Sequence, residues 1–165
     1  MRRAVVVVLV GVVLLLGACG GDEDDAADTS AASTTAPRGE PIVIRTRVVI
    51  AAAERAEVIA TGEVLEGSTL GGSAFCAGGT IVDSHGSPDP EVLLIARTIT
   101  CPDGSVRMDL EPEVVPQGQT QTGSWTIVGG TGAFEGLRGS GEMEVAYGPD
   151  DDSPARETLT GTVTR

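Results

Sequence analysis

The run Gly129-Gly130-Thr131-Gly132-Ala133-Phe134-Glu135-Gly136-Leu137-Arg138-Gly139-Ser140-Gly141 decides how this chain is read. Nearly half of it is glycine. Neither a helix nor a plain strand tolerates that density, because each glycine costs about 0.5–1 kcal/mol of extra backbone entropy there. The run lies between two stretches that alternate in polarity, Thr120–Val128 and Arg138–Tyr147. It therefore predicts a tight corner between two strands, with positive-φ positions, close backbone approach and Phe134 as the one large apolar plug.

The same two-residue rhythm recurs on both sides of the corner. Ile42–Ile50 sets Ile44, Thr46 and Val48 against Arg45 and Arg47, and Val58–Leu65 resumes the alternation. Ala74–Asp83 carries Phe75, Cys76 and the pair Gly78-Gly79, and Glu91–Thr100 is strongly apolar. Ser105–Leu110 sets Val106, Met108 and Leu110 against Arg107 and Asp109. In Arg138–Tyr147 the polar set is Arg138, Ser140, Glu142 and Glu144, against Met143, Val145 and Tyr147. Arg156–Thr164 turns Leu159 and Val163 inward and threonines outward.

Between these runs stand Gly67, Gly71 and Gly72, then Ser87-Pro88-Asp89-Pro90, then Cys101-Pro102-Asp103-Gly104 with the residues of a type I turn. Ala51–Glu57 has a helix former's composition and is read as a strand or a short break. Eight short strands with turn signals and no convincing helix predict an all-β domain over 41–165, a single antiparallel sheet curled into a barrel. A two-sheet sandwich is the alternative.

Gly129, Gly130, Thr131, Gly132, Phe134, Glu135, Gly136 and Gly139 resemble the signature shared by allene oxide cyclases and dirigent proteins. In that family Gly-Gly-Ser/Thr-Gly-x-Phe leads through a short turn to a glycine that opens the next strand. The resemblance implies an eight-stranded barrel. It also implies either ring closure of an unstable fatty-acid epoxide or, in dirigent relatives, steering of a radical coupling. It covers about a dozen residues, and no active-site residue of the family is matched beyond it.

Residues 1–18 read as a leader: Met1-Arg2-Arg3 is a positive start, and Ala4–Leu16 an apolar core too short for a comfortable permanent span. Leu16-Gly17-Ala18-Cys19 resembles a bacterial lipobox, which implies a diacylglycerol on Cys19 and a protein held on the outer face of a membrane. Two acyl chains, at about 0.8 kcal/mol per buried CH₂, are enough for such an anchor. Residues 19–40 follow as an acidic tether rich in Asp, Ala, Ser and Thr that buries nothing.

With Cys19 assigned to lipid, Cys76 and Cys101 remain as an even pair, which oxidises outside the cytoplasm. They are equidistant from the turn Ser87-Pro88-Asp89-Pro90, so a hairpin folded there sets them opposite one another. A reactive or metal-binding thiol is the rival reading, but one histidine and no further cysteine offer it few partners.

The chain carries a formal net charge of −13 and no lysine, which excludes the basic patch that nucleic acid requires. It contains no nucleophile elbow, no zinc-protease helix and no phosphate loop, and neither cofactor nor metal is expected. His85 reads as a solvated loop residue. The carboxylate pairs Glu142 and Glu144, and Asp109 and Glu111, read as outward faces.

The inward candidates Val58, Ala60, Gly62, Val64, Val106, Leu159, Gly161 and Val163 are small, and aromatic residues make up 2% of the chain. Eight strands enclose a lumen that side chains just fill or that holds one small ligand. Trp125, Tyr147 and Phe75, with Glu135 and Arg138 beside the corner, are the residues expected to line such a site. A noncatalytic, membrane-anchored barrel binding a lipid-like or terpenoid guest ranks first. An isomerase or cyclase, or a dirigent-like steering protein, ranks second, and a structural envelope protein third.

Overall fold

A computed structural model describes residues 39–51, 57–89, 91–115, 120–150 and 153–165. The leader, Cys19 and all but the last two residues of the tether lie outside the described residues, as do residues 52–56 of the stretch left open between strand and break.

Ten strands follow in order: β1 Glu40–Ile50, β2 Val58–Val64, β3 Thr69–Leu70, β4 Ser73–Ala74 and β5 Thr80–His85, then β6 Ile95–Cys101, β7 Gly104–Pro112, β8 Gln121–Gly132, β9 Arg138–Ala146 and β10 Ala155–Thr164. Strands β2, β5, β6, β7, β8, β9 and β10 pair antiparallel in that sequence, and β1 flanks β2. The sheet then closes, because β1 pairs with β10 from Glu40↔Val163 to Val48↔Ala155. The result is a closed eight-stranded antiparallel barrel with a two-strand insertion, β3–β4. Closure leaves no long sheet edge to recruit another chain.

The insertion fits because β1 is longer than its neighbour. Its second half pairs with β2 and its start with β3, through Ile42↔Leu70. Ser68, buried at the break, bridges the two halves: its Oγ accepts from Arg45 N at 2.9 Å and donates to Leu65 O at 2.8 Å.

The glycine run behaves as a corner with two corrections. Gly129 to Gly132 still belong to β8, so the turn itself begins at Ala133. The positive-φ positions are Gly132 (φ 60°) and Gly136 (φ 76°), where a side chain would strain the backbone. Phe134 is only half-buried and meets Phe75 edge-on, ring centroids 5.7 Å apart. The plug is Leu137, 0% exposed. Phe134 carries the larger apolar surface, but Leu137 sits where the chain re-enters the sheet and points inward.

Three further expectations change. Ala74–Asp83 is not one strand: after β4 the chain turns through Cys76–Gly79, with Gly79 N bonded to Cys76 O at 2.8 Å, before β5 begins. Val58, at the end of β2 beside a register shift, is exposed. Tyr147 lies just past β9, where the alternation no longer binds it, and is 48% exposed.

Cys76 and Cys101 form the expected disulfide, with Cα atoms 5.4 Å apart. They do not face each other across the hairpin. β5 and β6 pair as Thr80↔Thr100, so the next position along sets Gly79 against Cys101. Cys76 reaches Cys101 by folding back through its turn, with a positive φ of 49°. Linking positions 25 apart stabilises the fold by about 3.5 kcal/mol in the chain-entropy treatment.

The largest fully buried side chain, Trp125, is seated on glycine. It pairs with Gly141, which pairs with Gly161 on the next strand. The indole covers this bare strip, and its Nε1 donates to Glu142 O at 3.0 Å and Thr160 O at 3.2 Å. A Cβ on Gly161 would stand 2.6 Å from Trp125 Cζ2 and 2.2 Å from Ser140 O. Gly161→Ala should therefore cost about 1–3 kcal/mol through overpacking. Chemical denaturation followed by Trp125 fluorescence measures it, and an unchanged midpoint would show that the strip is not tightly packed.

Candidate functional site

The alternation that fills the barrel with Ile, Val and Leu also carries four polar residues inward. Thr46 shares a face with Ile44 and Val48, Asp83 with Ile81, Arg97 with Ile99, and Glu157 with Ala155 and Leu159. Register brings them together in pairs, Thr46↔Glu157 and Asp83↔Arg97. Arg97 is 1% exposed and joins the pairs across the lumen, from β6 to β10.

Its guanidinium grips Asp83 with two parallel bonds, Nε to Oδ1 at 2.8 Å and Nη2 to Oδ2 at 2.7 Å. Nη2 also donates to Glu157 Oε1 at 3.1 Å, and Nη1 donates to Glu157 Oε2. Thr46 Oγ1 donates to the same Oε2 at 2.7 Å. Every buried side-chain polar atom among the described residues has a partner.

The hydrogen bonds are complete; the charge is not. One cation faces two carboxylates. Burial pushes the Asp83 carboxyl above its ordinary range, and Glu157's charge adds to this, against the opposing pull of Arg97. Burial works against the Arg97 cation, but the bonds to Asp83 and the charge of Glu157 outweigh it and raise its pKa. Arg97 stays charged.

Two recesses open at opposite ends. At the disulfide end a cleft of about 690 Å³ is lined by Leu70, Phe75, the disulfide and Phe134, with Glu40, Asp103 and Arg165 also on its walls. At the other end a smaller recess of about 110 Å³ has mainly apolar walls, among them Val48, Ile95, Met143 and Val145, and Asp83 and Glu157 also line it. Tyr147 stands at its opening and hydrogen-bonds Gln121. Burial and the charge of Glu157 raise the Tyr147 phenol's pKa. Between the two ends Ile44, Ile99, Met108, Leu110 and Leu159 fill the barrel, so space for a guest lies at its mouths.

The residues expected to line one site are therefore dispersed. Phe75 lines the disulfide-end cleft and Tyr147 the opposite recess. Trp125 belongs to the core and lines neither. Glu135 and Arg138 are exposed, and Arg138 Nη1 donates to Leu137 O at 2.8 Å and does not reach either recess. Glu142 and Glu144 face outward as expected, and His85 is exposed.

The ion cluster is what sequence reasoning missed. Its signal was present in parity, because each member falls two residues from an inward aliphatic. Comparison of the chain with family models, with characterised proteins and with solved structures finds no match.

Replacing Arg97 with Met should cost about 3–5 kcal/mol at neutral pH by stranding two buried carboxyls. The sign of the pH effect follows from linkage. Without the cation the Asp83 carboxyl, already raised by burial, keeps its proton in the folded state to higher pH than in the unfolded chain. Folding is then favoured at low pH, and stability falls as pH rises through the raised value. Thermal melts of Arg97→Met between pH 4 and 8 should show recovery toward acid, and a flat profile would contradict it.

Proposed function

We propose that this chain is a protein lipid-anchored on the extracytoplasmic face of the cell membrane, whose barrel binds a small apolar guest without transforming it. The supporting observation is the disulfide-end cleft. Its size suits a small molecule, the half-buried Phe134 backed by buried Phe75 gives part of its wall an apolar surface, and the disulfide fixes another part. The polar groups on its walls would orient a guest with one polar end. The lipobox-like stretch ending at Cys19 supports the anchor, and the acidic tether supplies the distance between anchor and barrel. The glycine corner supports placing the barrel with the allene oxide cyclase type.

The guest and the anchor are tested separately. Native mass spectrometry of the barrel after mild extraction should show a retained apolar guest, and Phe134→Ser should lose it, since an open apolar wall binds chiefly by buried area. An empty barrel would favour the structural reading. Turnover of a fatty-acid epoxide would favour the ring-closing activity that the resemblance implies. Separately, the mature protein should carry a diacylglyceryl mass on its first cysteine and sediment with membranes, and Cys19→Ser should abolish both. A soluble, unmodified Cys19 would remove the anchor.

A further inference from the structure

From the opposite end of the barrel, and independently of the guest proposed above, we infer that the recess over Asp83 and Glu157 is a binding site for a small organic cation of the alkylammonium class. Four observations converge on it. The buried cluster of Arg97, Asp83 and Glu157 has a formal excess of one negative charge, and both acidic residues are among those that line the recess. An isolated charge in a low-dielectric interior is costly, so a mobile cation that reaches it gains more there than at the surface.

The walls are aliphatic, which suits an alkyl chain and disfavours a bare metal ion that needs several oxygen ligands. No group of three or more metal-binding side chains occurs among the described residues. Tyr147, half exposed, is among the residues that line the recess, and an aromatic ring within reach favours a cation. Finally, a volume of about 110 Å³ exceeds what one water needs and accommodates a short alkyl chain.

Protons compete for the same charge. The charged and titratable groups around Asp83 are Arg97 on β6, Glu157 on β10 and Tyr147 after β9, with the hydroxyl of Thr46 on β1 closing the cluster. Neutralising the Asp83 carboxyl by acid removes the excess, so cation binding weakens as pH falls.

The test uses n-butylammonium chloride as probe, with n-butanol and sodium chloride at equal concentration as neutral and ionic controls. In ¹³C-methyl spectra of the folded barrel, butylammonium should shift the methyl signals of Val48, Ile95 and Met143 and leave Leu70, in the other cleft, unmoved. It should also raise the melting temperature by about 2–4 °C at saturating probe, with no comparable rise from either control.

Asp83→Asn keeps the side chain's shape and cancels the excess, so affinity for butylammonium should fall by about tenfold or more while any weak response to butanol persists. Should that variant fold poorly, Ala155→Leu, which narrows the recess and leaves the charges in place, should produce the same loss. The inference is overturned if butanol matches butylammonium, if the Val48 and Ile95 signals do not move, or if a folded Asp83→Asn binds the cation as tightly as the parent. None of these outcomes bears on the guest of the disulfide-end cleft, whose own test is separate.

Discussion

The pairing of β1 with β10 is the constraint from which the rest of this structure follows. It turns an open meander into a closed wall of eight strands and fixes the width of the interior. A lumen of that width must be filled, and the chain has few aromatics with which to fill it. It uses aliphatics through the middle and a single indole laid over Gly141 and Gly161, where two strands lack side chains. The glycines that look like flexibility in the sequence are thus the seat for the largest core residue. Closure also sets which polar residues can meet: β6 and β10 are not neighbours in the sheet, yet Arg97 spans the distance between them.

That span is an unusual use of a core position. A buried ion pair seldom adds net stability over well-packed apolar residues, because desolvating the charges offsets their attraction. Its cost here is lowered by the fork geometry of the guanidinium and by Thr46, which leave no polar atom of the cluster unbonded. The cluster still holds an odd number of charges, and hydrogen bonds cannot cancel that. Stability alone gives no reason to bury Glu157 beside an Asp83–Arg97 pair that was already matched. The cation site proposed for the recess would give one.

What could be read from the sequence, and what could not, divides along the range of the interaction. The corner at Gly129–Gly141 and the alternation of β1, β7 and β9 are local, and a period of two suffices to place Met108, Leu110, Met143 and Val145 inside. The disulfide was legible through parity of cysteines, but its register was not. Pro88 and Pro90 mark a bend, yet β6 starts only at Ile95, and pairing His85 with Ile95 displaces the hairpin's centre. Phe134 looked like the plug because it is large; which residue of a turn points inward depends on backbone direction, and that favoured Leu137. The ion cluster required knowing that β6 and β10 face each other across a lumen. Asp83 and Arg97 are 14 residues apart and Glu157 lies 60 residues beyond Arg97, so no single local window contains all three.

The two mouths differ in a way that bears on what each can do. At the disulfide end β6 and β7 are joined through Pro102 and Asp103 alone, and the covalent link from Cys76 fastens the β3–β4 insertion to that turn. A wall so tied presents one fixed shape, and selectivity there has to come from fit. At the opposite end the connections 51–57, 86–94, 113–120 and 147–154 are longer, and binding residues concentrate where a rigid scaffold meets long connections. Yet the two acidic residues that line the recess, Asp83 and Glu157, are not on the connections. They sit on strands, one layer inside the barrel, held by the same register that closes it. A ligand drawn by that charge would meet strand residues whose positions the register of the barrel fixes.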